Sequence, residues 1–228
     1  MAEAFAKRYT CAVRSLLGSI PDAAGVDEQS LSRAERHFDV VLPAALRDYY
    51  LTLGNLHQLN DAHDNLLAPK DWFIDSGKLI FMAENQAVVY WGIEASKSAS
   101  EDVPVFQGVN LLPKFIEWHP EWDSCGEFLL VMLHWQAVAG GLKWSGMVNR
   151  DGQEAEKTCR MLTDYFTTHW QQVGGLIGMI AFRQQDGKVS CLLTGDGVCQ
   201  LYVGARTEPL FEEVDAELQA LGIGLSQL

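Results

Sequence analysis

Glu35-Arg36-His37-Phe38-Asp39-Val40-Val41-Leu42-Pro43-Ala44-Ala45-Leu46-Arg47-Asp48-Tyr49-Tyr50-Leu51-Thr52-Leu53-Gly54-Asn55 is the stretch on which the reading of the fold turns. The spacing predicts the end of one helix, a short extended step, and a second helix set off by a proline corner. The first of these helices runs from about Gln29 to Asp39. Asp27 or Ser30 can cap it, and Leu31, Ala34 and Phe38 share a face. Val40, Val41 and Leu42 are extended, and Pro43 suits the first turn of the next helix because its φ is preset. Leu46, Tyr49, Tyr50 and Leu53 then recur at helical spacing, as a buried face would, and are read as core. Gly54 and Asn55 tolerate the left-handed conformation that commonly ends a helix.

Toward the N-terminus, Ala4, Ala6, Tyr9, Val13 and Leu17 predict one amphipathic helix, stopped near Gly18 and Pro21. Toward the C-terminus the pattern changes to β. Leu79 to Ala83 and Val88 to Ile93 are apolar and rich in β-branched and aromatic residues, with Glu84-Asn85-Gln86 as a hairpin turn. Trp91 is expected in the core with its indole N–H bonded. Ser96 to Asp102 reads as an exposed loop, and Pro104 to Gly108 and Phe115 to Trp118 as further strands. Ser124-x-x-Glu127 is a capping box opening a helix to about Ala139, where Gly140-Gly141 stops it. Phe128, Met132 and Trp135 are its buried stripe, with Leu129 and Leu133 beside it.

A helix over about Thr158 to Gln172 follows. Met179 to Arg183, Val189 to Leu193 and Gln200 to Gly204 then form a three-stranded meander, turned at Asp186-Gly187 and Gly195-Asp196-Gly197. A helix after Pro209 places Leu210, Val214, Leu218 and Leu221 on one face. Helices, a mostly antiparallel twisted sheet and flanking helices spell α+β rather than βαβ order. With no Pro/Gly/Ser linker or internal repeat, residues 1–228 are read as one domain: 1–26 as a helical extension, 27–139 as its centre, and 178–228 as the meander and closing helix.

The 228 residues are 48% hydrophobic and 21% charged, enough for a sizeable core and unlike a disordered chain. The net charge of −13 repels phosphate backbones and anionic lipid, which argues against nucleic acid and membrane surfaces as partners. The five cysteines are widely spaced and lack a CxxC, so free thiols in a reducing, cytoplasmic compartment are expected. The N-terminus shows no apolar signal core, and no stretch approaches the ~20 apolar residues of a membrane span.

The opening run resembles the signature of the SUKH superfamily, in which a helix with Glu and a large apolar residue leads through Leu-Pro to a helix with an aromatic pair, ending near Asn-Gly. Gly54-Asn55 inverts that last order. Leu79 to Gln86 is similar to the family's first central strand and Val89-Tyr90-Trp91-Gly92-Ile93 to its second. Val103 to Phe106 and Ser124 to Leu133 match its D-x-P-V-F and S-x-x-E-F-L stretches. The resemblance covers residues 27–139 well and the C-terminal part loosely. It implies a non-catalytic protein-binding domain. Many bacterial members of the family look like immunity proteins that block a polymorphic toxin by direct contact, and eukaryotic members are cell-wall-assembly regulators and scaffolds.

Several constellations carry chemistry. His57, Asp61, His63 and Asp64 are competent metal ligands, but a His pair six apart does not share a helix face, and a polar loop is the expected reading, with no metal. Cys125 at a helix start, with His119 or His134 as base, is the one hydrolase candidate. Gly174-Gly175-Leu176-Ile177-Gly178 reads as turn chemistry, and no cofactor motif is present. Acidic residues cluster at Glu94, Glu101, Asp102, Glu117, Glu121, Asp123 and Glu127, with only Lys97 and Lys114 between them. The last helix adds Glu208, Glu212, Glu213, Asp215 and Glu217. The partner-facing residues expected are Glu101, Asp102, Glu117, Asp123, Glu212, Glu213 and Glu217, and the partner expected is basic, such as a nucleic-acid-acting toxin domain. Reversing Glu101 and Asp102 to Lys is expected to slow association and leave folding nearly unchanged.

Overall fold

A computed structural model describes residues 5–112, 115–195 and 197–228. Ala4, Lys114 and Asp196, named above, lie outside the described residues. The architecture is α+β, with two antiparallel sheets where the sequence suggests one. The chain groups into two compact units, one ending at Cys11 and resuming over Ile20–Leu129, the other Ala12–Ser19 with Leu130–Leu228. Of the three divisions, those at Cys11/Ala12 and Leu129/Leu130 fall inside helices, where no linker composition marks them, and the third, at Ser19/Ile20, falls in the turn after the first helix. No helix among the described residues is long and apolar enough to cross a membrane.

The first unit holds most of α1 (Phe5–Leu17), then α2 (Glu28–Phe38), α3 (Ala44–Leu53) and the single turn α4 (His57–Asn60). Asp27 caps α2 by accepting the Ser30 N–H at 2.8 Å, and Asp39 closes it at φ 54, a conformation Asp tolerates. Pro43 is extended and is the cap of α3 rather than its first turn. It offers no side-chain acceptor, and the Ala44 and Ala45 N–H groups donate instead to the carbonyls of Ser100 and Glu101 at 2.9 and 3.0 Å. The loop read as merely exposed therefore supplies the helix cap.

Gly54 is right-handed at φ −58, so the expected left-handed stop is absent. The chain ends α3 through the turn before α2, where Val26 N–H bonds Tyr50 O and Asn55 N–H bonds Ala24 O. Glycine is required in that turn. A Cβ on Gly25 would lie 1.8 Å from the Leu51 carbonyl oxygen.

Tyr49 and Tyr50 are buried as expected. Tyr49 Oη donates to Asn60 Oδ1 at 2.8 Å. Tyr50 Oη donates to Leu67 O at 2.7 Å and accepts the Trp72 indole N–H at 2.8 Å. The buried indole with this hydrogen bond is thus Trp72, while Trp91 is buried against Phe128.

The sheet of this unit comprises β1 (Asn65–Leu66), β2 (Phe73–Asp75), β3 (Lys78–Ala83), β4 (Val89–Glu94), β5 (Val105–Leu112) and β6 (Phe115–Trp122). The order is β1-β3-β4-β5-β6, with β2 also on β3. Leu79 to Ala83 are all buried, which is why β3 reads as a continuous apolar run. The edge strand β6 contains Pro120, a residue that edges accept because it cannot donate to a ladder. α5 (Cys125–Gln136) follows, and Phe128 packs on Phe81 and Trp91 with centroids 6.0 Å apart in both pairs. A π turn over Ala137–Gly141 ends it, with Gly140 at φ 145, at the glycine pair predicted as the stop.

The second unit is a sheet in the order β12-β7-β11-β10-β9-β8, built from β7 (Trp144–Asp151), β8 (Gln171–Leu176), β9 (Met179–Arg183), β10 (Lys188–Gly195), β11 (Val198–Ala205) and β12 (Ser226–Gln227). The predicted meander is β9-β10-β11. β7, β8 and β12 extend it. Gly174 and Gly175 belong to β8, not to a turn. Gly174 lies so close to Val131 that a Cβ would sit 3.0 Å from its Cγ2, and the turn glycine is Gly178 at φ +75. α6 (Gln153–His169) and α7 (Glu208–Ala220) bury Leu162, Phe166, Val214 and Leu218 with Phe182, Leu192 and Leu201 of the sheet.

Candidate functional site

The structure gathers three of the predicted acidic residues at one corner of the first unit. Glu101 and Asp102 lie near the end of the loop between β4 and β5, and Asp123, with Ser124, joins β6 to α5. Asp102 holds this corner together. Its Oδ2 accepts the Ser124 hydroxyl at 2.5 Å, and its Oδ1 accepts the N–H groups of Gly126 at 3.1 Å and Val103 at 2.9 Å. Ser124 Oγ in turn accepts the Glu127 N–H at 3.1 Å. Half of the predicted capping box is therefore formed. Glu127 does not complete it, since its carboxylate accepts the Trp122 indole N–H at 3.1 Å.

This changes what Asp102 can do. Both of its oxygens are spent on the start of α5, while the neighbouring Glu101 carbonyl caps α3. The dipeptide ties two helix N-termini to one loop, where a carboxylate also complements the helix dipole. Contrary to the expectation that both positions tolerate reversal, Asp102→Ala is expected to cost about 1–3 kcal/mol, because it leaves buried donors unpaired. Glu101→Lys is expected to stay within about 0.5 kcal/mol. Chemical denaturation of the two variants separates them, and equal midpoints would show that Asp102 is not structural.

Glu101 and Asp123 are exposed, and among the described residues neither carboxylate makes a hydrogen bond or an ion pair. Glu117 stands apart. It lies on β6 opposite Val109, six residues before Asp123, or roughly 20 Å along an extended chain. It faces His119, with Oε1 3.3 Å from Nε2. Glu121, counted with this cluster in sequence, is buried.

In the second unit, α7 is less naked than its sequence. Glu213 pairs at 2.8 Å with Lys188, which is buried and also bonds Asp186 at 3.2 Å. Burial pushes the lysine pKa down, but its hydrogen bonds and the two carboxylates outweigh that and leave it raised, so it stays charged. Glu217 accepts the Tyr165 hydroxyl. Of the predicted residues of α7, only Glu212 is exposed without a partner among the described residues. The signal not read in the sequence is Lys188, which stands between the Asp186-Gly187 turn and the predicted strand and far from α7 in sequence.

Cys125 is fully buried, and burial followed by the nearby Asp102 charge pushes its thiol pKa well above the ordinary value. A nucleophile needs a thiolate with access to substrate, and this sulfur has neither. The proposed bases are engaged elsewhere: His119 faces Glu117, and His134 Nδ1 is 2.7 Å from Leu130 O. This geometry gives the hydrolase reading of Cys125 no support. His57 and Asp61 pair at 2.6 Å across one turn, and among the described residues no three His, Cys, Asp or Glu side chains converge as metal ligands.

No protein-family model, curated protein or solved structure matches this chain.

Proposed function

We propose that the chain is a non-catalytic protein-binding module of SUKH type, in the role of a bacterial immunity protein, and that it holds a basic toxin domain through the corner of Glu101 and Asp123 with Glu117 along β6. The observation that carries the reading is the pair Glu101 and Asp123: two exposed carboxylates without partners, on backbone pinned by the caps of α3 and α5. Pinned charges lose little entropy on binding and repel wrong partners of like sign. The resemblance over residues 27–139 supports the family assignment. The burial of Cys125 lends no support to the less favoured hydrolase alternative, and a regulatory scaffold of the same family is the other reading.

Cytoplasmic action follows from the role proposed. The toxin chemistry that fits is attack on nucleic acid, because such a domain presents a basic groove to phosphate and carboxylates can stand in its place.

The test is growth of cells expressing the toxin domain encoded beside this chain, with and without the chain, followed by association kinetics of the two purified proteins. Rescue is expected, with an association rate that falls as salt rises. Glu101→Lys combined with Asp123→Lys is expected to slow association about tenfold at low salt, with an unchanged melting temperature. Growth arrest indifferent to the chain would sink the immunity role. Rescue with a rate indifferent to salt and to both reversals would place the contact elsewhere.

A further inference from the structure

The first unit carries a second surface of opposite character. A cleft of about 530 Å³ lies between the outer face of α2 and the turn at Pro69. Its floor is apolar, formed by Val26, Ala34, Phe38 and Pro69, and its rim carries Arg33, His37 and Lys70. The size falls within the range of ligand and peptide pockets.

The charge of this rim runs against the rest of the chain. Every carboxylate on or flanking α2 is already engaged. Asp27, the one acidic group on the rim, accepts the Ser30 N–H and keeps its charge, which that bond chiefly and Arg33 to a lesser degree favour. Glu28 and Glu35 pair with Arg47, Glu35 also takes the Leu42 N–H, and Asp39 pairs with Lys97. Arg33 donates only to Ser30 Oγ, and among the described residues neither it nor Lys70 has an ion-pair partner, in a protein of net charge −13. The neighbouring Arg36, one turn along α2, is likewise unpaired. His37 stacks edge-on to Phe38 at 4.7 Å and continues the apolar floor to the rim.

We infer that this cleft binds an extended peptide segment in which an apolar side chain is flanked by Asp or Glu. The apolar side chain enters between Phe38 and Pro69, and the carboxylates meet Arg33 and Lys70. Charge complementarity selects the class. A basic segment would face Arg33 and Lys70 with only Asp27 to offset them, and an uncharged one would leave Lys70 unanswered. The site is distinct from the acidic corner proposed above and takes a ligand of opposite sign, so either can fail without the other.

The experiment uses the full chain and two fluorescent hexapeptides, Leu-Glu repeated three times and Leu-Lys repeated three times, with anisotropy for affinity and amide shifts for location. The Leu-Glu peptide is expected to bind and to shift the amides of Ser30 to Phe38 and of Ala68 and Lys70, with the Leu-Lys peptide much weaker. Arg33→Glu with Lys70→Glu is expected to weaken the Leu-Glu peptide about tenfold and to favour the Leu-Lys peptide. Both residues are exposed, and a melting curve verifies the fold. Arg33→Gln serves if the double reversal melts early.

Four results would overturn the inference: no binding at millimolar peptide, equal binding of the two peptides, shifts confined to other residues, or indifference to the substitutions. Octanoate shifting the same amides where the peptide does not would assign the cleft to small carboxylates instead.

Discussion

Tyr50→Ala is expected to destabilise the first unit by about 3–5 kcal/mol, the cost of emptying a fully buried aromatic site. Tyr50 is among the largest side chains with no exposure, and it packs edge-on against Trp72 at 5.1 Å. Its hydroxyl links the backbone after α4 to that indole by donating to Leu67 O and accepting from Trp72 Nε1. Truncation removes the ring and both hydroxyl hydrogen bonds, leaving the Trp72 indole N–H its 3.2 Å bond to Leu67 O. Tyr50→Phe keeps the ring and isolates the second loss, expected at about 0.5–1.5 kcal/mol because Trp72 and Leu67 still bond each other. Chemical denaturation followed by tryptophan fluorescence measures both, since Trp72 reports on the affected site. An alanine variant with the wild-type midpoint would mean that the aromatic pair of α3 is not the core of this unit.

That core was legible because it rests on helical spacing. Leu46, Tyr49, Tyr50 and Leu53 all point inward, as their periodicity demands, and the hairpin of β3 and β4 sits where Glu84 to Gln86 interrupt two apolar runs. The division into two units was not legible. It passes through α1 and α5, whose apolar stripes continue across the boundary, and its third crossing, at Ser19 and Ile20, is a turn that reads only as the end of α1.

β7 and β8 were missed for a related reason. Gly146, Asn149, Gly174 and Gly175 give poor strand propensity, and their place in the sheet is set by tertiary contact: Gly146 lies close to Phe211, and Gly174 close to Val131.

The acidic residues show a third limit. Sequence counts charges but not partners. Asp102 and Glu213 look like their exposed neighbours until Ser124, Gly126 and Lys188 are seen to hold them. The cationic cleft had a readable signal, Arg33 and His37 four apart on one helix face, but its other cation, Lys70, arrives from a turn more than thirty residues away.

His134 gives the chain an acid-labile point. It lies on the part of α5 that belongs to the second unit and has no exposure. Its Nδ1 is 2.7 Å from the Leu130 carbonyl, so that nitrogen carries the proton, and the buried Nε2 has no partner among the described residues. Protonating Nε2 would bury a charge and a donor with no acceptor. Burial, with a smaller push from Arg183, lowers the imidazole pKa to about 4 against the Leu130 hydrogen bond, which favours the cation.

The sign follows from linkage. An unfolded histidine takes up its proton near pH 6.5, whereas the folded one resists until about pH 4. Between those values the unfolded state binds more protons, so stability is complete above about 6.5 and is lost as pH falls. The loss reaches about 3 kcal/mol by pH 4. His134→Leu keeps the site apolar and cannot titrate. Whatever its stability at pH 7.5, the difference in unfolding free energy between variant and wild type is expected to move in the variant's favour by about 3 kcal/mol as pH drops from 7 to 4. Carboxylates titrate alike in both proteins and cancel from that difference. Urea unfolding at half-unit pH steps measures it. Parallel curves across the range would mean that the imidazole is protonated in the native protein at a pH close to that of the unfolded chain, and that its cation has an acceptor.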